Sequence, residues 1–184
     1  MMRLLKPFPW LLGAAMALSA CAKPMEVSSI TEINPTTGAK SIDVLEPKRV
    51  ARRTGVPEFA GDQIIEIRTF AYQQGAGEQE IAGATCKLTA SDFTAQMVTP
   101  AKVRVPLYRV QSPALAVSCE KLGYARKLIT VSAYDSVRAN RYGSGTGGGL
   151  LGVAVVAAID GMSDNSKNEW KYPPVNVVLD AAEK

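Results

Sequence analysis

Hydrophobic and polar residues alternate along much of the chain from Asp62 onward, and a period of two marks strands with one buried face. In "KVRVPLY" the apolar Val103, Val105 and Leu107 fall on one face, with Lys102 and Arg104 on the other. "VNVVLD", near the C-terminus, repeats the pattern through Val175, Val177 and Leu179. "QIIEIRTFAY", "ATCKL", "FTAQMVT", "ALAVSC" and "RKLITVSAY" add five segments rich in β-branched and aromatic residues. Gly75 and Gly77, Pro100 and the Lys121-Leu122-Gly123-Tyr124 turn punctuate them. Pro106 marks its segment as an edge strand or one carrying a bulge. No 3.6-residue apolar stripe competes with this reading. About seven short strands at roughly ten-residue spacing predict a mainly β fold, an antiparallel β-sandwich with a glycine-rich apolar insertion before the last strand.

The chain upstream of Asp62 has little periodicity. Pro24, Asn34-Pro35, Thr36-Thr37-Gly38, Pro47 and Gly55 interrupt it, and residues 21–61 read as a tether with short ordered pieces. Lys48, Arg49, Arg52 and Arg53 cluster there, either as a solvated face of a linker or short helix or as a contact for anionic lipid or polysaccharide. The first 20 residues are of another kind. Arg3 and Lys6 precede the uncharged "PFPWLLGAAMAL", and small residues follow, the layout of a secretory signal peptide. The apolar stretch is shorter than the ~20 residues that a membrane span needs. The expected organisation is therefore a signal peptide over residues 1–20, a tether over 21–61 and a β-sandwich domain over 62–184.

Leu18-Ser19-Ala20-Cys21 resembles the bacterial lipobox. The resemblance implies cleavage before Cys21, a diacylglycerol on its sulfur and acyl chains of the palmitate class holding the chain at a membrane. Ordinary cleavage after Ala22 competes, since Ala20-Cys21-Ala22 also fits the small-residue rule. Each buried CH₂ contributes about 0.8 kcal/mol, so two or more acyl chains anchor stably where one does so marginally. Ala22 after the cysteine, in place of Asp, implies by the same resemblance the outer membrane, facing the periplasm.

The sequence has three cysteines. With Cys21 assigned to lipid, Cys86 and Cys119 remain, and in an oxidising compartment they are expected to form a disulfide. Cys86 shares a strand face with Ala84 and Leu88, and Cys119 with Leu115 and Val117, so both sulfurs should point inward. A loop of this length stabilises a fold by roughly 3–4 kcal/mol in the chain-entropy model. The alternative is a pair of buried free thiols.

Composition narrows the chemistry. The 184 residues suit one domain with extensions, and 47% hydrophobic residues suffice for a core. The formal charge is +4, and removal of Arg3 and Lys6 leaves 19 basic against 17 acidic residues, too small an excess for a nucleic-acid footprint. There is no histidine, which excludes Ser-His-Asp and Cys-His catalysis and histidine-containing zinc sites. Asp135, Asp160, Asp164 and Asp180 are dispersed, and "SDNSKNE" lacks the ligand alternation of a calcium loop. Neither a catalytic set, a metal site nor a cofactor is expected. Trp170 and Tyr172, before Pro173-Pro174, are expected to pin the last strand to the body.

The stretch "IAGATCKLTASDFTAQMVTPAKVRVPLYRVQSPALAVSCEKLGY" resembles a segment of small bacterial lipoproteins of unknown function. It is also similar to PEGA-type and carboxypeptidase-regulatory-like domains, which are prealbumin-like β-sandwiches. The features that carry the resemblance are Gly83-Ala84 with Cys86, Thr99-Pro100 before Val103 and Val105, and Cys119 ahead of Gly123-Tyr124. The letters PEGA themselves are not spelled. The resemblance implies a structural or interaction module of the cell envelope and brings no catalytic residues.

"YGSGTGGGLLGVAVVAAIDGMSD" stands apart. Gly148 and Gly152 form a G-x-x-x-G, whose small residues let helices approach closely. The apolar run that follows, taken as ten helical residues, reaches about 15 Å, half of the ~30 Å hydrocarbon core. It is open to three readings: an element packed on the sandwich, a mobile loop, or a patch of Leu150, Leu151, Val153, Val155 and Val156 that meets a partner or membrane surface. A phosphate loop is excluded, because no Gly-Lys-Ser/Thr ending is present. The expected function is that of a non-catalytic envelope module, bound to the membrane through its N-terminal lipid and open to an envelope protein partner. The rivals are a small-ligand or glycan-binding module and, less favoured, a carboxylate-based enzyme.

Overall fold

The computed structural model describes residues 24–27, 29–137 and 169–182. In chain order its elements are β1 (Ile30–Thr31), β2 (Asn34–Pro35), α1 (Glu46–Val50), β3 (Phe59–Gln73), β4 (Gly77–Ile81), β5 (Thr85–Thr89) and β6 (Phe93–Val98). There follow β7 (Ala101–Tyr108), β8 (Leu115–Glu120), β9 (Lys127–Val131), β10 (Tyr134–Asp135), β11 (Trp170–Lys171) and β12 (Val175–Leu179). The fold is mainly β, as the alternation predicts, with twelve strands among the described residues rather than about seven. The surplus is β4 and four two-residue strands, β1, β2, β10 and β11, too short to show a period in sequence.

Two five-stranded sheets form the body. Sheet A runs β1-β7-β3-β12, with β4 also paired to β3, and sheet B runs β2-β6-β5-β8-β9. Sheet B is antiparallel throughout. Sheet A departs from the antiparallel expectation at two places, where β1 joins β7 and β12 joins β3 in parallel. A parallel pair needs a long crossover rather than a hairpin, and most of the chain lies between β3 and β12.

The core lies between the inner faces. Sheet A contributes Ile65, Ile67 and Ala71 of β3, Val103 and Val105 of β7, and Val175, Val177 and Leu179 of β12. Sheet B answers with Leu88, Phe93, Ala95, Met97, Leu115 and Val117. Within β7 the alternation slips. Val103 and Val105 point inward as expected, but Pro106 is buried as well, and Tyr108 rather than Leu107 fills the next core position. Opposite this slip the β3 register shifts between Phe59 and Gly61. Gly61 has φ +127°, a conformation that side chains with a Cβ rarely adopt, and so the extra residue of the bulge is accommodated there.

Cys86 and Cys119 face each other across β5 and β8, fully buried, with their sulfurs at disulfide distance and their Cα atoms 4.1 Å apart. A second cross-link is polar. The Thr69 hydroxyl donates to the Ile81 carbonyl at 2.7 Å and meets the Thr99 hydroxyl at 2.6 Å, both threonines being buried. This pair joins β3 to the turn before β7, where Thr99-Pro100 is a cis peptide.

Parts of the stretch read as a tether are docked on the body. β1 adds to β7, β2 adds to β6, and Val44 and Leu45 are buried in the core. Pro47 and Glu46 begin α1, and Lys48 and Arg49 sit in its last turn, each where the helix dipole favours it.

Native protein should show no alkylation of Cys86 or Cys119 before reduction, and Cys86→Ala/Cys119→Ala should lose roughly 3–4 kcal/mol in urea unfolding. Thr69→Val should cost about 1–3 kcal/mol, because it removes the hydroxyl that the Ile81 carbonyl and Thr99 both meet and leaves Thr99 only its long 3.4 Å bond to the Ala84 carbonyl. The Thr69→Val/Thr99→Val pair should cost less than the two single changes added together, a coupling that a double-mutant cycle measures.

Candidate functional site

One concave site combines apolar walls with a polar rim. It is a cleft of about 300 Å³ between α1 with its flanking loop, the β5–β6 turn and the β7–β8 loop. Val44, Leu45, Val56, Pro57 and Pro113 supply the apolar wall, and Lys48, Ser91, Asp92 and Gln111 the polar groups. The adjacent apolar pair Val44-Leu45 sits just ahead of Glu46-Pro47. Burial of that pair holds α1 against the sandwich and so closes one side of the cleft.

Ion pairs brace the same region. Lys48 bonds Asp92 of the β5–β6 turn, and Arg49 bonds Asp43 while donating to the Pro57 carbonyl at 2.7 Å. Two members of the basic cluster are thus engaged within the molecule, whereas Arg52 and Arg53 are exposed. Arg52 also adopts φ +52° at the end of the helix.

Two buried tyrosines form the floor and its support. Tyr108 is 1% exposed, and its ring meets Phe59 edge-on with centroids 6.1 Å apart. Its hydroxyl faces the backbone N–H groups of Leu45 and Val44 outside good hydrogen-bond geometry. Burial pushes the Tyr108 phenol up to about 12, and those N–H groups and Arg49 oppose the shift only in part. Tyr172 is pinned more firmly. Its hydroxyl donates to the Pro113 carbonyl at 2.5 Å, and its backbone exchanges two hydrogen bonds with the Gln63 side chain, at 2.8 and 2.9 Å. Burial raises its phenol well above the ordinary tyrosine range, tempered by the Ser112 hydroxyl. Ser112 also accepts from the Tyr108 N–H at 3.0 Å, which ties both tyrosines to the β7–β8 loop.

The remaining residues singled out by sequence are placed as follows. Cys21 and the patch of Leu150, Leu151, Val153, Val155 and Val156 lie outside the described residues, as do Asp160 and Asp164. Asp135 is buried and accepts from the Val137 N–H at 3.0 Å, and Asp180 pairs with Lys127 at 2.8 Å. Tyr172 pins the chain ahead of β12, and Trp170 pairs with Asp135 in the β10–β11 ribbon. No group of three or more Asp, Glu or Cys able to hold a metal occurs among the described residues. No helix among them is long and apolar enough to cross a membrane. The cleft escaped the sequence reading because its walls come from four separate segments. The one local hint was Val44-Leu45 within an otherwise polar stretch.

A second concave area lies on the outer face of sheet A, where Arg68, Phe70, Glu80 and Asn176 meet the incoming chain at Pro24 and Met25. Arg68 bonds Glu80 at 2.6 Å and Glu66 at 3.0 Å. Burial alone would lower its pKa, but the bonds to Glu80 and Glu66 outweigh that and raise it.

No family model, curated protein or solved structure matches the chain. The functional reading therefore rests on residues and geometry.

Between pH 10 and 12 the unfolded Tyr108 loses its proton while the folded one keeps it, so folding stability should fall as pH rises through this window. Tyr108→Phe should reduce that loss in denaturant titrations and cost little at neutral pH, while the buried Tyr172, whose phenol is raised as well, maintains the remainder. Tyr172→Phe should cost about 1 kcal/mol at neutral pH by removing a buried hydrogen bond.

Proposed function

We propose that the protein is a lipid-anchored module of the cell envelope that works by contact rather than by catalysis. The observation that carries this reading is the division of its cysteines. Cys21 ends the lipobox-like Leu18-Ser19-Ala20-Cys21, and the other two pair at disulfide distance within the core. Such a pair belongs in an oxidising compartment, which is where a chain led by residues 1–20 would be delivered. The resemblance to small envelope lipoproteins with PEGA-like or carboxypeptidase-regulatory-like sandwiches agrees with this role and with an outer-membrane address facing the periplasm.

The α1 cleft favours a second reading, a small-ligand or glycan-binding module, because it sets an apolar wall beside Lys48, Asp92 and Gln111. Its size suits a ligand smaller than most cofactors. The two readings share an address and differ in whether the sandwich carries a ligand there.

Native protein from membranes should exceed the mass of the polypeptide beginning at Cys21 by a diacylglyceryl group and any N-acyl chain, and Cys21→Ser freed of residues 1–20 should leave the membrane fraction. A native mass equal to the bare polypeptide, or a Cys21→Ser protein freed of residues 1–20 that still sediments with membranes, would refute the anchor.

A further inference from the structure

The N-terminal segment does not leave the body where the sequence suggests. Met25 is gripped in both directions by one ion pair on the outer face of sheet A. The Arg68 guanidinium donates to the Met25 carbonyl at 3.0 Å, and the Met25 N–H donates to Glu80 at 3.0 Å. Arg68 and Glu80 are themselves bonded at 2.6 Å, and their side chains are only 14% and 13% exposed. Beyond the clasp, Ile30 and Thr31 pair with β7, Asn34 and Pro35 with β6, and Val44 and Leu45 enter the core. Among the described residues, the stretch from Met25 to Phe59 is thus tied to the body at several points.

Chain length then decides the geometry. A flexible tether of about 40 residues would have an end-to-end distance of roughly 35 Å and would let the body tumble. Whatever path residues 21 to 24 take, four residue steps from Cys21 to Met25 span at most about 14 Å. We infer that the outer face of sheet A around the Arg68–Glu80 clasp is a membrane-apposed surface, held against the lipid headgroups by a leash of four residues. This rests on the lipid-anchor reading of Cys21. The face suits that position. Tyr72, two residues beyond Phe70 on the same face of β3, is 81% exposed. An aromatic ring with a hydroxyl tip is at home at headgroup level. Apposition of sheet A turns the outer face of sheet B, with Thr85, Lys87, Thr89 and Gln96, away from the bilayer and toward envelope partners.

The test has two measurements on the full native protein and one variant. Neutron reflectometry of protein on a supported bilayer of phosphatidylethanolamine and phosphatidylglycerol should find a water gap below about 15 Å between headgroups and body. Hydrogen exchange at the Met25 amide should be slowed at least about tenfold relative to Arg68→Met/Glu80→Met, which removes both charges together and leaves neither stranded. In that variant the leash extends to Ile30, nine steps or about 30 Å, and the gap should widen accordingly. A native gap of several tens of ångströms, or a Met25 amide that exchanges freely in native protein, overturns the proposal; both are read without the variant, should it fail to fold. Failure of the anchor itself is distinguished by intact mass: a bare polypeptide mass ends both the anchor and the apposition, whereas a lipidated mass with an unprotected Met25 ends the apposition alone.

Discussion

β3 is the strand on which the structure depends. Its fifteen residues hydrogen-bond to β7 along the first half, to β4 along the second and to β12 on the other edge. Ile65, Ile67, Thr69 and Ala71 present an unbroken buried face to sheet B. A one-residue slip of this strand would turn that face to water and bring Glu66 and Arg68 inward, so burial fixes its register. The bulge at Gly61 lets the same strand change phase where β7 does and deliver Tyr108 to the core.

From that frame the rest of the molecule acquires its positions. The inner face of β3 meets sheet B, whose central strands β5 and β8 are tied by Cys86 and Cys119. Its outer face holds Arg68, and through Arg68 and Glu80 the incoming chain at Met25. Its first residue, Phe59, meets Tyr108 edge-on beside the α1 cleft. Cleft and clasp thus lie toward opposite ends of one strand.

The polar interior follows a consistent rule. Thr69 and Thr99 satisfy each other and nearby carbonyls, and Gln63 completes the backbone bonding of Tyr172 where no strand does so. Each arrangement joins segments far apart in sequence. Such contacts add direction to a core whose hydrophobic attraction has none.

Sequence alone determined the β class, the inward faces of Cys86, Cys119, Val103, Val105 and the Val175-to-Leu179 strand, and that Pro106 marks an edge or a bulge, the register shift itself falling opposite it in β3. These follow from period-two burial and from proline's missing N–H, both local properties of the chain. Only the tertiary structure decided that β12 lies parallel to β3, that Tyr108 replaces Leu107 in the core, and that the stretch around Val44, Leu45 and Met25 docks on the body. These outcomes depend on partners tens of residues away, namely Glu80 for Met25, Asp92 for Lys48 and Pro113 for Tyr172. A two-residue strand or a backbone clasp gains its free energy from the surface it meets, and no local period records that surface.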